Sequence, residues 1–406
     1  MSETIILEKP QKRLGLKGLI LFIVLMDMFI PLSTDMYLPA LPTMGAHLQA
    51  SDAVVKLSIT CFFLFYAAGM LLWGPLSDKY GRRKPLLCGY LLYCAASFLC
   101  MISWNIYMLI FSRILQGIGA ASVTAISMAM IKDCFSGKTR EAVLAIVQTF
   151  SGFGPILAPV IGGWLLLVTD WRGIFFVLFF FGIIGLLLAW LYEESLAPEE
   201  RLQGSAFQSL GQIFVAMKNK TFMWIIFIYG VLNIPFFMYI TLSSYIYINY
   251  FFCTEQVYSY YYAVCALLSM AGPFLYIRFF QECNKSTLFY VCLGISLLGG
   301  IGVMTLGQLQ PYLFCLMVFL FYLFTNILRP YFTNLTLEQE KDVGTASSVM
   351  NMGYNVFGCL GMLLSSLQFQ NMVTAIGFLI ALTSAISIAA WWRLVHSGKP
   401  IRGFYD

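Results

Sequence analysis

Two carboxylates and a guanidinium stand inside otherwise apolar stretches of this chain: Asp27 and Asp35 in residues 18–39, and Arg113 in residues 106–131. A charge near the middle of a bilayer is costly, and an acid tolerated there faces a protein-lined cavity, binds something, or carries protons. At the helical rise Asp27 lies about 15 Å beyond Lys17, near the midplane, and Asp35 about 12 Å further on. Pro31, between them, can bend the helix so that both acids face one cavity. Taking a carboxylate out of water favours its neutral form, so acids at this depth can exchange protons near neutral pH, Asp27 above all. Structural alternatives stand beside this chemistry. Asp27 could be half of a buried pair with Arg113 or Arg329, and Asp35 could close the helix end by hydrogen bonding in the Ser33-Thr34 turn. Arg113 must itself be paired, wet, or satisfied by backbone carbonyls, and Gln116, three residues on, shares its helix face.

The elements that must position these residues are membrane helices. Of 406 residues, 60% are hydrophobic and 11% charged, where a soluble domain carries about 25% charged residues. The chain is therefore read as a polytopic membrane protein. Its 11 cysteines lie almost wholly inside apolar stretches at irregular spacing, which suits small buried hydrophobes rather than disulfides or a metal site. The histidines, His47 and His396, fall outside the apolar spans, which argues against a histidine proton relay or zinc centre. No metal and no cofactor is expected. Neither a paired nucleophile and base nor metal-spaced ligands can be found, so the chain is not read as an enzyme. No stretch is long enough for a sensor's soluble output domain. The basic N-terminal stretch 1–17 lacks a small-residue cleavage signature, so no removable signal peptide is expected.

Twelve apolar stretches of spanning length lie near 18–39, 53–76, 84–103, 106–131, 141–167, 171–192, 221–249, 257–279, 287–307, 311–336, 343–367 and 370–395. Between the sixth and seventh, residues 193–220 read as a linker along the membrane surface, with an amphipathic helix over Ala206–Met217. Basic residues set the orientation. Twenty lysines and arginines fall on one side, including Lys9, Lys12, Lys79, Arg82, Arg83, Lys84, Lys132, Lys138 and Arg140, against Lys56 and Arg172 on the other. The positive-inside rule then puts both termini in the cytoplasm. It also absorbs the net charge of +5, leaving no reason to invoke nucleic acid. The expected fold is all-α: 12 transmembrane helices in two pseudo-symmetric six-helix bundles, 1–192 and 221–406, joined by the 193–220 linker. A faint internal echo supports the repeat, Gly74-Pro75 closing span two and Gly272-Pro273 closing span eight, before Arg278-Phe-Phe-Gln-Glu282.

Four motifs carry a resemblance, and a fifth a vaguer one. After span two the chain reads Gly74-Pro-Leu-Ser-Asp78-Lys79-Tyr80-Gly81-Arg82-Arg83-Lys84, where Gly and Pro are expected to force a reversal and Asp78 to pair with a guanidinium or cap a helix. This run resembles the signature loop of the major facilitator superfamily, whose acidic residue helps lock the cytoplasmic side by meeting the start of span eleven, here near Asp342–Thr345. Span four, Arg113-Ile-Leu-Gln116-Gly117-Ile-Gly119, resembles the motif of that superfamily's proton-driven antiporters, in which the Arg is linked to proton transfer. Span five, Gly152-Phe-Gly154-Pro155-Ile-Leu-Ala158-Pro159-Val-Ile-Gly162-Gly163, resembles the antiporter motif of its exporters, with Ala158 where the usual pattern has Gly. Span one, Ser33-Thr34-Asp35-Met36-Tyr37-Leu38-Pro39, resembles the Bcr/CflA subfamily of drug:proton antiporters. Its acidic pair is similar to that of MdfA-like multidrug antiporters, with Asp27 where that type has Glu. Span eleven starts Gly344-Thr345-Ala346-Ser347-Ser348, a vaguer likeness.

That resemblance implies a proton-coupled multidrug exporter of the cell (inner) membrane, working by rocking-bundle alternating access and driven by the proton gradient. Asp27, Asp35 and Arg113 would couple protons. Gly74, Asp78, Gly81, Arg82, Arg83, Gly154, Pro155, Pro159, Gly162 and Gly163 would govern the conformational change. Its partners are protons, small amphipathic substrates and the bilayer, and a monomer is expected. Cavity candidates are Asp27, Asp35, Tyr37, Gln116, Tyr229, Asn233, Phe236, Tyr239, Asn326, Arg329, Asn351 and Asn355. The asparagines could instead be glue between helices, Arg329 could snorkel to the cytoplasmic side, and Tyr258, Tyr260, Tyr261 and Tyr262 are read as interfacial belt residues. An Arg329 facing the cavity would favour anionic or zwitterionic cargo. The rivals are a dedicated exporter of one metabolite or peptide, and a nutrient importer or symporter.

Overall fold

Polar residues mark where the apolar runs turn helical. Asn105, Asp170, Asn219, Thr254, Asn284 and Asn371 each accept a first-turn backbone N–H on the side chain. They occupy donors that a helix start leaves unpaired. The computed structural model describes residues 7–202, 215–340, 343–397 and 401–404, with the backbone alone at 343 and 344. These residues are helical, with no strand among them. The helices of the first half are α1 Gly15–Asp35, α2 Leu41–His47, α3 Asp52–Tyr80, α4 Arg83–Met101, α5 Ile106–Cys134, α6 Gly137–Gly152, α7 Gly154–Leu165 and α8 Trp171–Leu191. There follow α9 Lys220–Gly230, α10 Asn233–Tyr245, α11 Glu255–Leu275, α12 Lys285–Thr305, α13 Pro311–Glu338, α14 Val343–Ser365 and α15 Met372–Val395.

Among the described residues, eleven helical segments are long and apolar enough to cross a membrane, and they coincide with eleven of the stretches marked in the sequence. The other stretch, 343–367, is helical as α14. Its first half carries Thr345, Ser347, Ser348, Asn351 and Asn355, which dilute its apolar character. The surface helix expected over Ala206–Met217 lies for the most part outside the described residues, as does Asp342.

Two expectations about proline are corrected. Gly74-Pro75 does not reverse the chain: α3 runs through Pro75 to Tyr80, and the reversal falls at Gly81, where φ is 87°. Glycine adopts that left-handed conformation without penalty. Likewise Pro273 lies inside α11, which continues into a π-helical turn over Tyr276–Phe280. A membrane helix packed along its length tolerates the donor that proline removes. Span five, by contrast, does break. α6 ends at Gly152 and α7 begins at Gly154, with Pro155 in its first turn, where the missing N–H has no partner to lose.

The chain divides into two compact units, Met1–Ser209 and Leu210–Asp406. In the first, α3 and α4 pack on α5, α4 also packs on α8, and α1 runs along α5, α6 and α7. In the second, α11 and α12 pack on α13, α12 also packs on α15, and α10 runs along α14. Counted by spans, each unit therefore pairs its second with its fourth, its third with its fourth and sixth, and its first with its fifth. This shared scheme is far clearer than the sequence echo. Glycine allows the closest approaches: a Cβ on Gly119 would stand 2.7 Å from the backbone nitrogen of Tyr93, and one on Gly117 would strike the Phe62 carbonyl.

Candidate functional site

Asp27 is half-buried on α1, held by hydroxyl groups rather than by a cation. Ser127 Oγ on α5 donates to its Oδ1 at 2.6 Å, and the same hydroxyl has the Thr124 carbonyl at 3.0 Å. Ser151 of α6 and Tyr66 of α3 stand near the carboxylate. A hydroxyl has one hydrogen to give and lone pairs to accept with. While Asp27 is charged, Ser127 gives that hydrogen to the carboxylate. Once Asp27 is protonated, the acid can donate to Ser127 Oγ, whose hydrogen turns to Thr124 O. The site accommodates both states without moving the backbone. No ion pair among the described residues involves Asp27, so the buried pair with Arg113 is not formed.

Asp35 is the last residue of α1, 6% exposed, and accepts from Thr34 Oγ1 at 2.9 Å. Arg113, one face away, is completely buried. Its Nη1 donates to Gln116 Oε1 at 2.5 Å and to Ser33 O at 3.1 Å, and Gln116 Nε2 donates onward to Ser97 Oγ at 2.8 Å. The guanidinium carbon lies 4.3 Å from the ring centre of Phe62, 5.0 Å from Tyr37 and 5.7 Å from Phe175. Ring faces thus stand in for a counter-ion, and a desolvated contact of this kind contributes about 2 kcal/mol. Two guanidinium nitrogens, Nε and Nη2, have no partner.

The network ties Arg113 to the α1 segment that ends in Asp35. Ser33 Oγ donates to Phe29 O at 2.7 Å, so the Tyr93 hydroxyl is the donor in its 2.7 Å bond to Ser33. Ser58 Oγ donates to Val55 O, so Tyr37 is the donor in its 2.6 Å bond to Ser58. Tyr37 and Gln116, expected to line an open cavity, are instead fully buried in this network.

At the α3–α4 junction Arg82 is the hub. It donates to Asp78 Oδ1 at 2.5 Å, to Ser77 Oγ at 2.9 Å and to Asp133 Oδ2 at 2.8 Å. Burial works against the Arg82 charge, but the carboxylates of Asp133 and Asp78 outweigh it and hold the group above the ordinary arginine value. Asp78 pairs but does not cap. The start of α4 is covered by Glu194, which accepts from the backbone nitrogens of Arg82 at 2.8 Å and Arg83 at 3.1 Å. Arg83 reaches the Trp190 carbonyl at 2.5 Å.

In span five, a Cβ on Gly154 would stand 2.8 Å from Pro31, and one on Gly162 would strike the Met36 carbonyl. α7, with Pro155 at its start, Pro159 inside and Gly163 buried, is thereby pressed against the stretch of α1 that bears both acids.

In the second unit Tyr229, Asn233, Phe236, Tyr239 and Asn326 gather along α9, α10 and α13. Tyr229 donates to Thr325 O at 3.3 Å, Phe236 stacks on Tyr322 with ring centres 4.6 Å apart, and Tyr239 lies 5.4 Å from Tyr322. Asn233, Asn326 and Asn351 each donate to a carbonyl four residues back on their own helix. Asn351 is exposed and Asn355 half-buried on α14. Arg329 is exposed, within electrostatic reach of Tyr229 and Tyr354, and has no ion-pair partner among the described residues. Of the supposed belt tyrosines, Tyr260 is exposed, while Tyr258 and Tyr262 are buried among the rings of Tyr247 and Tyr239.

Residues 19–362 match the family described as Major Facilitator Superfamily. The chain is 29% identical over 372 residues to a Bacillus subtilis (strain 168) protein described as the uncharacterized MFS-type transporter YdgK, covering 90% of this chain and 92% of that one. It is 23% identical over 389 residues to a bicyclomycin resistance protein homolog of Haemophilus influenzae, covering 95% and 98%. Over 211 residues it is 31% identical to a chloramphenicol resistance protein of Pseudomonas aeruginosa, about half of each chain at 52% and 49%. Among solved structures it resembles a D-xylose-proton symporter, with TM-score 0.74, 15% identity and coverage of 95% and 98%. A peptide transporter POT in complex with sulfate is similar at TM-score 0.75, 13% identity and coverage of 95% and 97%.

Proposed function

The chain belongs to the Major Facilitator Superfamily, and from that premise we propose that it is a proton-coupled multidrug exporter of the Bcr/CflA type. The observation that carries this reading is Asp27, a membrane-embedded acid whose hydroxyl partners serve it in either protonation state. The names of the bicyclomycin and chloramphenicol resistance relatives support drug efflux. The glycine- and proline-rich α7 against α1 supports an exporter over an uptake carrier.

In this reading twelve spans form two six-helix bundles, with both termini cytoplasmic and the whole in the inner membrane as a monomer. An amphipathic molecule enters from the cytoplasm and Asp27 gives up its proton. The bundles rock, and a proton from outside returns to Asp27 and displaces the cargo. Asp35, closed in by Thr34, and Arg113, holding the Ser33 carbonyl, transmit the state of α1. The Asp78, Arg82 and Arg83 loop biases the change of conformation. No cofactor is needed beyond the proton gradient. A second reading, a dedicated exporter of one anionic or zwitterionic metabolite, rests on the exposed and unpaired Arg329.

Inverted membrane vesicles with an acidic interior, followed by a pH-sensitive dye, test the proposal. Cationic, neutral and zwitterionic amphipathic drugs are added to wild type and Asp27→Asn. Drug-triggered proton efflux in wild type alone is expected. Folded wild-type protein that releases no protons to any of these drugs overturns multidrug antiport. Efflux triggered only by zwitterionic or anionic compounds selects the second reading.

A further inference from the structure

Two thiols and two phenols meet in the core of the second unit. Cys265 of α11 and Cys315 of α13 are both free and buried. Their thiols are neighbours across the α11–α13 contact. The backbone supports the same placement, because Cys315 Sγ lies 3.8 Å from the carbonyl of Tyr261, one helical turn before Cys265. The Tyr239 hydroxyl sits beside Cys265 and the Tyr247 hydroxyl beside Cys315. Both phenol oxygens are buried, and neither is aligned on a hydrogen-bond partner. Cys315 also lines a groove of about 480 Å³ on the α11–α13 seam, with Val257, Tyr260, Tyr261, Val264 and Tyr312.

We propose that Cys265 and Cys315 form a dithiol site for a trivalent arsenical, reached from the apolar groove. The chemistry balances without an oxidant. For an arsenical R–As=O, two As–S bonds form and the As–O double bond breaks. The oxygen leaves as water, carrying both thiol protons, with no change of oxidation state at arsenic or sulfur. The adduct is neutral, so no charge is left in the apolar core. Once the S–H bonds are gone the sulfurs are acceptors only, and the phenol hydroxyls of Tyr239 and Tyr247 gain partners they now lack.

The probe is phenylarsine oxide, added to the full-length protein in membranes. Excess is removed with a monothiol, which competes poorly with a two-sulfur bridge. The protein is then unfolded, its thiols are alkylated with a maleimide, and the labelled peptides are mapped. Cys265 and Cys315 are expected to escape alkylation together while the remaining cysteines are labelled, and a small dithiol should restore both. Cys265→Ser and Cys315→Ser should each lose the retained arsenic, whereas Cys292→Ser should keep it. Unchanged alkylation of Cys265 and Cys315 in treated wild type overturns the proposal, as does retention at another cysteine pair. The wild-type map stands even if a variant fails to fold.

Discussion

Ser127 on α5 donates to Asp27 on α1 at 2.6 Å, with the Thr124 carbonyl 3.0 Å from the same hydroxyl. The hydroxyl is a two-position switch: its hydrogen can point at the acid or away from it. Asp27 can therefore change protonation state without stranding a buried polar group, something a fixed cation partner would not permit.

Ser127→Ala tests that relationship. It removes a hydroxyl that donates to the charged acid, a bond worth about 1.5–3 kcal/mol, and accepts from the neutral acid, a bond worth about 0.5–1.5 kcal/mol. One pH unit corresponds to about 1.4 kcal/mol. The half-maximal point of drug-driven proton release should move to higher pH by about one unit. A pH profile that superimposes on wild type would show that Ser127 does not serve Asp27.

Arg82 bridges Asp78 and Asp133, and the three differ in burial: the side chains of Arg82 and Asp133 are 6% and 11% exposed, that of Asp78 52%. Arg82→Met leaves Asp133 charged and unpaired, a loss of about 3–5 kcal/mol for a buried pair broken on one side. Arg82→Met combined with Asp133→Leu should recover much of it. Thermal unfolding in detergent measures both, and additive losses in the double variant would contradict the assignment.

Two glycines inside helices should behave oppositely. A Cβ on Gly162 would strike the Met36 carbonyl, whereas a Cβ on Gly74 meets nothing within 4 Å. Gly162→Ala should cost about 1–3 kcal/mol by overpacking α7 against α1. Gly74→Ala should stay within about 0.5 kcal/mol of wild type. Equal melting shifts in the two variants would mean that α7 does not lie against α1 as described.

Much of this architecture could be read from residue types alone. Apolar runs of spanning length gave the helices, because a chain that crosses a membrane must satisfy its backbone within itself. The Arg113–Gln116 bond follows from a spacing of three on a helix. Other features depend on chain segments that only the fold brings together. Glu194 caps α4 from more than a hundred residues away, and nothing local marks it. Ser127 did leave a signal, since Arg113, Gln116, Thr124 and Ser127 lie close to one stripe of α5, the stripe that meets α1. Gly74-Pro75 was misleading because a packed membrane helix can run straight through a proline. Tyr258 and Tyr262 were misleading because the same tyrosine that anchors at an interface also packs well against other rings.

Proton release on drug binding tests the central claim most directly. Purified protein in a weakly buffered detergent solution, carrying a pH indicator, is mixed with a drug it transports. Wild type is expected to release a proton for each drug bound, and Asp27→Asn to bind drug while releasing none. Equal proton release from folded Asp27→Asn would place the coupling proton elsewhere and contradict the role assigned to Asp27.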